Sequence, residues 1–567
     1  MPTPSAEVHF SSSDILSDDD RKKVKTRRAA ASNELALLDT EIALANLELE
    51  CDSDESHDTS DTRRLWPNSS LLTLRKRRRE LQSLIAEYDA AVAPHKYLPS
   101  ELLSYIFALT FLNFPTYLPP IRHRSPLLLC HVCSRWRTIS LSTPELWTNL
   151  VYQYARTFNP YTMMAIAEEW FGRSGSSQLL SLVITHWNGP LQSHRRDHRS
   201  VMGDLVGRLL RPFAKRYEHL DLCLPADELR SLLDDRDFSL PALESLCLEY
   251  DIHGTVHADQ PTLGENSIVL RRASKLKRVE LKHFDTFSVD ENIFNWSNLT
   301  HLACINTRMQ LVQSHTILSK CANLVECRIA IHGQARNDER RSKPISLPFL
   351  IHLNIGFHLL SASSTPGHYT VDEIVATFFE PFTLPKLKDL FVSFARRLHG
   401  FSWNREPLIS LITRSSCEIE VLQMELTPLR NVTLRALVDA IPGLKALRIG
   451  VDTLLPREII QGMTGIQNSS VLLKHLECLV CLTDDLEAVI RMLEYRFNAS
   501  CSSTNHQEVD KAGDGFGEGE DEGSNFQIAR PTFIMLEYLG GVINHDQALR
   551  VDRLRAGGIK IFMERSR

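Results

Sequence analysis

Two cysteine pairs have the spacing of a metal site. Cys130 and Cys133, and again Cys478 and Cys481, form the C-x-x-C pattern used by zinc-binding proteins. A structural zinc site needs four ligands in a tetrahedron, and each pair here stands alone in apolar surroundings. The sequence therefore predicts buried thiols at these positions and no metal site.

A glycine-rich stretch also resembles a ligand loop. GDGFGEG has the glycine content of a phosphate-binding loop, but it lacks a preceding strand, a lysine and a following helix, and its carboxylates would repel phosphate. As a calcium loop from Asp510 it has Ala512 at position three and Asp521 at position twelve, where glutamate is usual. The 22 histidines include no H-x-x-x-H pair beside a carboxylate. We predict no cofactor and no catalytic residues.

Length and composition bound the class of protein. The 567 residues exceed one ordinary core, so several domains or a repeat array are expected. The net charge of −6 is spread along the chain and gives no pull toward nucleic acid or membrane. The N-terminal stretch lacks the pattern of a signal peptide, and the longest apolar run, YIFALTFLNF, is about half the length that spans a bilayer. We expect a cytoplasmic or nuclear protein whose 12 cysteines are reduced.

The first ninety residues predict a disordered start followed by a helical hairpin or coiled coil, closed on itself or against a partner. Residues 1–32 are polar and then basic, which is typical of disorder. Over residues 33–93, two runs show helical spacing on either side of an acidic linker; their apolar positions are Leu35, Leu38, Ile42, Ala45 and Leu49, then Leu74, Leu81, Ile85, Tyr88 and Val92. The basic tract Arg75–Arg79 fits either a nuclear localisation signal or a solvated helix face.

Two short amphipathic stretches follow. In LPSELLSYIF, Pro99 suits the first turn of a helix, and the apolar side chains after it form one stripe. About thirty residues later, a second helical face consists of Leu128, Leu129, Val132, Trp136 and Ile139. Thr143-Pro144 then predicts a last helical turn, capped by Thr143, that carries Leu146 and Trp147. Such a unit is too small to bury a stable core alone, so we expect it to dock on a partner.

The order Leu-Pro-x-Glu-Leu-Leu, Val-Cys-x-x-Trp-Arg and Pro-x-Leu-Trp resembles an F-box, in particular the F-box proteins of mushroom-forming fungi. The match covers about Leu98 to Leu150, within a domain predicted at residues 94–150, and it departs from the family in the long proline-rich loop between Phe111 and Pro126. The resemblance implies that this unit binds a Skp-type adaptor and, through it, a cullin. The adaptor-binding residues implied are Leu98, Pro99, Glu101, Leu102, Ile106, Val132, Trp136 and Trp147.

After a connector at residues 151–178, the pattern L-x-x-L-x-L recurs about every 29 residues, at intervals of 23 to 38. Its starts are residues 179, 217, 243, 276, 299, 324, 350, 387, 419, 444 and 473. The pattern predicts an irregular leucine-rich-repeat solenoid over residues 179–567, whose parallel strands line a concave face. An acidic, glycine-rich segment at residues 502–527 predicts a disordered insertion.

The residues that flank the last two pattern positions should point to solvent, because side chains alternate along a strand. They form a mixed-charge strip with one aromatic residue, more suited to a protein substrate than to nucleic acid. The predicted substrate-binding residues are Arg278, Glu280, Lys282, Glu326, Arg328, His352, Asn354, Asp389, Phe391, Gln423, Glu425 and Arg448.

The sequence as a whole predicts an α/β protein with a helical hairpin, a small all-α F-box and a solenoid. The favoured function is that of a non-catalytic, substrate-recognition subunit of an SCF-type cullin–RING ubiquitin ligase. The alternative is a leucine-rich-repeat scaffold that acts outside ubiquitination. A third hypothesis is an enzyme, because the members of a catalytic triad can be far apart in sequence.

Overall fold

A computed structural model gives the fold of the chain. It describes residues 16–54, 65–111, 115–121, 124–154, 159–186, 201, 203–250, 268–284, 293–307, 309–333, 343–359, 371–394, 406–425, 431–450, 454–464, 471–505, 528–539 and 543–565. Contacts within the chain divide it into two compact units. The first is Met1–Leu150 with Glu169–Gln178, and the second is Val151–Glu168 with Leu179–Arg567.

The first unit begins with the predicted helical hairpin, formed by α1 (Asp18–Asp54) and α2 (Leu65–Ala91). Leu38, Ile42 and Leu81 are buried between the two helices. The hairpin is also held by ion pairs: Arg77 lies 2.8 Å from Glu34, Arg78 lies 2.7 Å from Asp39, and Arg28 pairs with Asp89. Two arginines of the basic tract Arg75–Arg79 therefore form ion pairs between the two helices of the hairpin.

The first helix starts earlier than the sequence indicates, so the prediction of disorder is wrong for residues 18–32. Val24 and Ala31 continue the buried seam upstream and are 0% and 6% exposed. At the helix start, the Ser17 hydroxyl accepts a hydrogen bond from the Asp20 N–H. Three aspartates in the first turn also favour the positive end of the helix dipole. Residues 1–15 and the linker at 55–64 lie outside the described part of the chain.

Three short helices follow in the first unit: α3 (Ser100–Phe111), α4 (Leu127–Cys130) and α5 (Ser134–Leu141). A 3-10 turn, Pro144–Trp147, comes after them. The single helical face predicted from Leu128 to Ile139 is wrong, because the chain turns between α4 and α5. Cys133 caps α5, and its thiol accepts a hydrogen bond from the Trp136 N–H at 3.4 Å.

The strands have the following bounds in chain order: β1 Thr116–Leu118, β2 Asn149–Tyr154, β3 Leu180–His186, β4 Tyr217–Leu224, β5 Ser245–Tyr250, β6 Arg278–Lys282, β7 His301–Ile305, β8 Met309–Gln310, β9 Glu326–Gly333, β10 Ile345–Ser346, β11 His352–Leu359, β12 Phe382–Thr383, β13 Asp389–Phe394, β14 Val421–Glu425, β15 Ala446–Ile449, β16 Cys478–Thr483, β17 Phe533–Tyr538 and β18 Lys560–Arg565. Thirteen of the strands from β3 onward form one long parallel sheet in the order β3-β4-β5-β6-β7-β9-β11-β13-β14-β15-β16-β17-β18. β8 also pairs with β9, and β10 and β12 pair with each other in a separate two-stranded sheet.

Helices connect most of these strands, as parallel pairing requires. They are Pro160–Arg173, Arg211–Phe213, Ala226–Leu233, Ile268–Arg272, Leu311–Lys320, Val371–Phe379, Glu406–Ser415, Asn431–Ala440, Arg457–Gly462, Leu486–Asn505 and His545–Ala556. The helix Pro160–Arg173 lies in the predicted connector. The helix Leu486–Asn505 includes residues 502–505, so the prediction of disorder is wrong there, and residues 506–527 lie outside the described part of the chain.

The repeated apolar pattern forms the core of the second unit. In the repeat around β13, Leu387, Leu390 and Val392 are each at most 1% exposed, and the same three positions are buried from β5 to β15. The pattern also sets a backbone ladder, in which the carbonyl before one strand accepts N–H groups from the next repeat. Lys445 and Ala446 donate to the Glu420 carbonyl at 2.8 and 2.9 Å, for example.

The repeat assigned to residue 473 is out of frame. The buried positions there are Leu476, Leu479 and Cys481, which is a shift of three residues, and Leu473 lies instead in the preceding turn. Cys478 and Cys481 are an odd number of residues apart in β16, so they point to opposite faces of the sheet and cannot share one metal ion.

Candidate functional site

The first candidate surface is a line of exposed apolar side chains on α3, which we call the docking stripe. It consists of Leu102, Tyr105, Ile106 and Leu109, which are 50%, 63%, 44% and 51% exposed. Their spacing of three and four residues places them on one face of the helix. The opposite face of α3 carries Leu103 and Phe107 into the core of the first unit.

The docking stripe is backed by contacts on the inner side of α3. The Phe107 ring lies 4.8 Å from the Trp136 ring of α5, and His95 meets the same indole edge-on at 5.5 Å. The Arg135 guanidinium donates hydrogen bonds to the carbonyls of Lys96 and Leu98, which ties α5 to the chain just before α3. The Thr143 hydroxyl donates to the Ile139 carbonyl at 2.7 Å and lies within hydrogen-bond distance of the Ser104 hydroxyl at 3.1 Å, so it links α3 to α5 rather than capping the next turn.

The predicted adaptor-binding residues divide into exposed and buried groups. Leu102, Ile106 and Val132 are exposed, as are Pro99 and Glu101. Leu98 and Trp136 are half-buried, and part of the Trp136 ring is taken up by its contact with Phe107. Tyr105 and Leu109 are exposed apolar residues that were not among the predicted adaptor-binding residues.

Trp147 does not belong to the exposed surface, so its placement among the adaptor contacts is wrong for this structure. Its side chain is 0% exposed and its ring lies 4.6 Å from the ring of Trp170. The indole N–H donates to the Ser140 carbonyl at 3.0 Å, and the Arg173 guanidinium covers the ring at 5.0 Å. Trp147 is therefore a core residue of the first unit.

The second candidate surface is the side of the sheet that carries the predicted substrate-binding residues, which we call the strand face. Buried and less buried positions alternate along each strand, as in β13. The parallel register lines up Arg278, His301, Glu326, His352 and Asp389 in one row across neighbouring strands. The twelve predicted residues thus lie on one side of the sheet.

A second row lies two residues further along each strand. It contains Glu280, Arg328, Asn354, Phe391, Gln423 and Arg448. Lys282 and Glu425 lie a further two residues along β6 and β14. Arg278, Glu326, Arg328, His352, Glu425 and Arg448 are exposed, and the other six are half-buried.

Several charged groups of the strand face pair with one another. His352 Nδ1 lies 2.6 Å from a carboxylate oxygen of Asp389, and Lys282 Nζ lies 3.5 Å from Glu280. Gln423 Nε2 donates to Glu425 at 2.9 Å. Arg328 and Arg448 are exposed cations in the second row of the strand face. Their exposure makes them candidates for contact with a partner.

A half-buried charge cluster lies on the strand face near Glu280. Asp221 and Cys247 are neighbours of Glu280 in the register of β4, β5 and β6. Burial raises the pKa of Asp221 and also that of the Cys247 thiol. Burial alone would lower the pKa of Lys282, but the neighbouring Cys247, Asp221 and Glu280 together raise it. The alternation of side chains that predicts Glu280 on the strand face applies to β4 and β5 as well. It could therefore have identified Asp221 as a residue of the strand face.

Over the last three strands the strand face also carries a cluster of apolar side chains, which the twelve predicted residues do not include. Val480, Phe533, Met535 and Phe562, which we call the apolar corner, are adjacent in the register of β16, β17 and β18. Met535 and Phe562 are 42% and 55% exposed, and the rings of Phe533 and Phe562 lie 5.5 Å apart. Applying the alternation rule to these last strands would have predicted that these side chains point to the strand face, but not that they are adjacent to one another.

The fold defines a general class: an α/β protein with N-terminal helices and one long parallel sheet. No protein-family model matches the chain, and a search of curated proteins finds no significant match. Among the described residues, no cluster of three or more His, Cys, Asp or Glu side chains is arranged to hold a metal ion. Within the same ranges, no helix has the length and apolar character needed to cross a membrane.

Proposed function

We propose that this chain is a substrate-recognition subunit of an SCF-type cullin–RING ubiquitin ligase. In this proposal, residues 94–150 are an F-box that binds a Skp-type adaptor, and the repeats that begin near residue 179 are a leucine-rich-repeat solenoid that binds a protein substrate. The observation that carries the proposal is the docking stripe, which coincides with the sequence that resembles an F-box.

The physical support comes from what the docking stripe exposes. Four large apolar side chains in one line on a short helix are the type of surface that a partner buries, since single exposed apolar residues are common but contiguous ones mark binding sites. Large anchors of this kind carry most of the binding energy in protein interfaces. The stripe is preorganised by Phe107 and Trp136, which reduces the entropy lost on binding.

The strand face supports the substrate-binding half of the proposal. Its exposed arginines, acids and half-buried Phe391 offer mixed charge and an aromatic group, which suit a protein surface better than a uniformly anionic nucleic acid. A long parallel sheet built from repeats of about 29 residues is also what a leucine-rich-repeat solenoid would require.

The first experiment measures binding of the full chain to a purified Skp-type adaptor. Truncating Leu102 and Ile106 together to alanine removes two exposed anchors, each worth roughly 1–2 kcal/mol, so the Kd should rise about a hundredfold. The matched control is Val312→Ala, which truncates an aliphatic side chain that is 62% exposed on a helix of the second unit. Unchanged adaptor binding by the double variant would contradict the proposal.

Affinity purification of the full chain from cells that contain the adaptor and a cullin separates the two functions that the sequence left open. A ubiquitin-ligase subunit should recover a cullin together with the adaptor, whereas a scaffold that acts outside ubiquitination should recover the adaptor, or another partner, without the cullin. The cullin is therefore the readout that favours one function over the other.

The second experiment addresses the strand face. Reversing charge with Arg328→Glu and Arg448→Glu should remove proteins that co-purify through the strand face while adaptor binding persists, because the docking stripe is unchanged. Lys215→Glu with Lys275→Glu is the control, since both lysines are exposed outside the strand face. Loss of the same proteins in the control would show that the effect is one of total charge.

A further inference from the structure

The outer edge of β18 offers backbone hydrogen-bonding groups to a further strand. β18 pairs with β17 on one side, and no strand of the described residues pairs with its other side. The Lys560 N–H donates to the Thr532 carbonyl at 3.0 Å, toward β17. Because backbone groups alternate along a strand, those of Ile561, Met563 and Arg565 point to the outer edge. An edge of this kind is a template for pairing with another chain.

The side chains of β18 on the strand face have a self-complementary order. Lys560, Phe562 and Glu564 are exposed and alternate with the inward residues of the strand. An antiparallel copy of β18 centred on Phe562 places Lys560 opposite Glu564 of the second copy, and Glu564 opposite Lys560 of the second copy. Phe562 then meets its own equivalent at the two-fold axis. Opposite charges and aromatic pairs directly across two strands stabilise the pairing.

The same register satisfies the backbone. With Phe562 on the axis, Ile561 lies opposite Met563 of the second copy, and both residues point their N–H and C=O groups to the outer edge. In antiparallel pairing such residues exchange two hydrogen bonds. The Ile561 carbonyl faces away from β17, because it accepts hydrogen bonds from the Arg555 guanidinium at 3.0 and 3.2 Å. In the dimer, the Met563 N–H of the second copy therefore shares this carbonyl with Arg555 or displaces the guanidinium from it. Shifting the register by two residues in either direction separates Lys560 from Glu564.

We infer that the chain forms a symmetric dimer in which β18 pairs antiparallel with β18 of a second copy. The pairing covers Phe562 and joins the apolar corners of the two copies into one surface, which is the physical gain beyond the hydrogen bonds. The occupant of the edge is a second copy because the sequence of β18 supplies both halves of the charge pattern. The dimer does not depend on adaptor or substrate binding.

The test is sedimentation of the full chain over a range of concentrations, with two single charge reversals. Lys560→Glu alone or Glu564→Lys alone places like charges opposite each other at both ends of the pairing, so each should weaken dimerisation about tenfold or more. An equimolar mixture of the two variants restores opposite charges at both ends and should form a heterodimer about as tight as the wild-type dimer. High salt should reduce these differences.

A third variant tests the backbone part of the inference. Met563→Pro removes an N–H that points to the outer edge and leaves the hydrogen bonds to β17 in place, so it should abolish the dimer while the melting temperature stays near that of the wild type. A wild-type chain that remains monomeric up to about 100 μM overturns the inference. It is also overturned by a dimer that tolerates all three variants, or by charge variants that fail to recover on mixing.

Discussion

Arg496 provides the sharpest test of how the second unit is held together. It lies in the helix Leu486–Asn505, and its side chain is 0% exposed. Its guanidinium donates hydrogen bonds to the carbonyls of Leu472 and Leu473 at 2.8 and 2.6 Å. Leu473 has a φ of 50°, in the left-handed region that costs a leucine energy. Arg496 thus fastens a strained turn that leads directly into β16.

The expected cost of Arg496→Met follows from these contacts. Burial lowers the pKa of Arg496 to about 10, so the guanidinium is still charged at neutral pH and its hydrogen bonds are charge-assisted. Methionine fills much of the space but leaves the two carbonyls without their donor. Removing one partner from a buried charged arrangement costs about 3–5 kcal/mol. Methionine also removes the cost of burying a charge, which offsets part of this loss. We therefore expect Arg496→Met to lower the free energy of unfolding by about 3 kcal/mol.

The assay is amide hydrogen exchange of β16 together with the thermal midpoint. A loss of about 3 kcal/mol should speed exchange of the β16 amides about a hundredfold and lower the midpoint by several degrees. The control is Arg491→Met on the same helix, where the side chain is 72% exposed and pairs with Glu487. That variant should cost about 0.5 kcal/mol or less. Equal behaviour of the two variants would refute the assignment of Arg496 to the turn.

Two further predictions concern a buried histidine and a half-buried arginine. His315 is 5% exposed, and its Nε2 lies 3.1 Å from the Phe378 carbonyl. Burial lowers the pKa of His315 in the folded state. Its contribution to stability should therefore be present above about pH 6.5 and be lost as the pH falls through the lowered pKa of the folded state. The melting temperature of His315→Gln should therefore depend less on pH between about 7.5 and 5.5 than that of the wild type or of the exposed control His475→Gln. The Arg550 guanidinium donates two hydrogen bonds to Glu494, at 2.8 and 2.7 Å, and one to Glu487 at 2.8 Å. Arg550→Lys should therefore lower the free energy of unfolding, measured in urea, by about 1–2 kcal/mol. Arg553→Lys, on the exposed side of the same helix, should change that free energy little.

The docking stripe shows how far sequence spacing reaches. The positions Leu102, Leu103, Ile106 and Phe107 are recognisably one amphipathic helix, and α3 is confirmed. Spacing does not separate the residues that enter the core from those that remain outside, because both sets are apolar. Packing against α5 decides that Leu103 and Phe107 are buried and that Leu102 and Ile106 are exposed.

The sequence by itself determined the repeat and its alternation. The spacing of leucines placed the strands and the buried positions from β5 to β15, because a strand that is buried on one face must alternate. It also determined the helical hairpin through the seam of Leu38 and Ile42. Only the tertiary structure decided that Trp147 is enclosed by Trp170 and Arg173, and that Val480, Met535 and Phe562 meet at one corner. These outcomes depend on neighbours that are far apart in the chain, and local spacing carries no information about such neighbours.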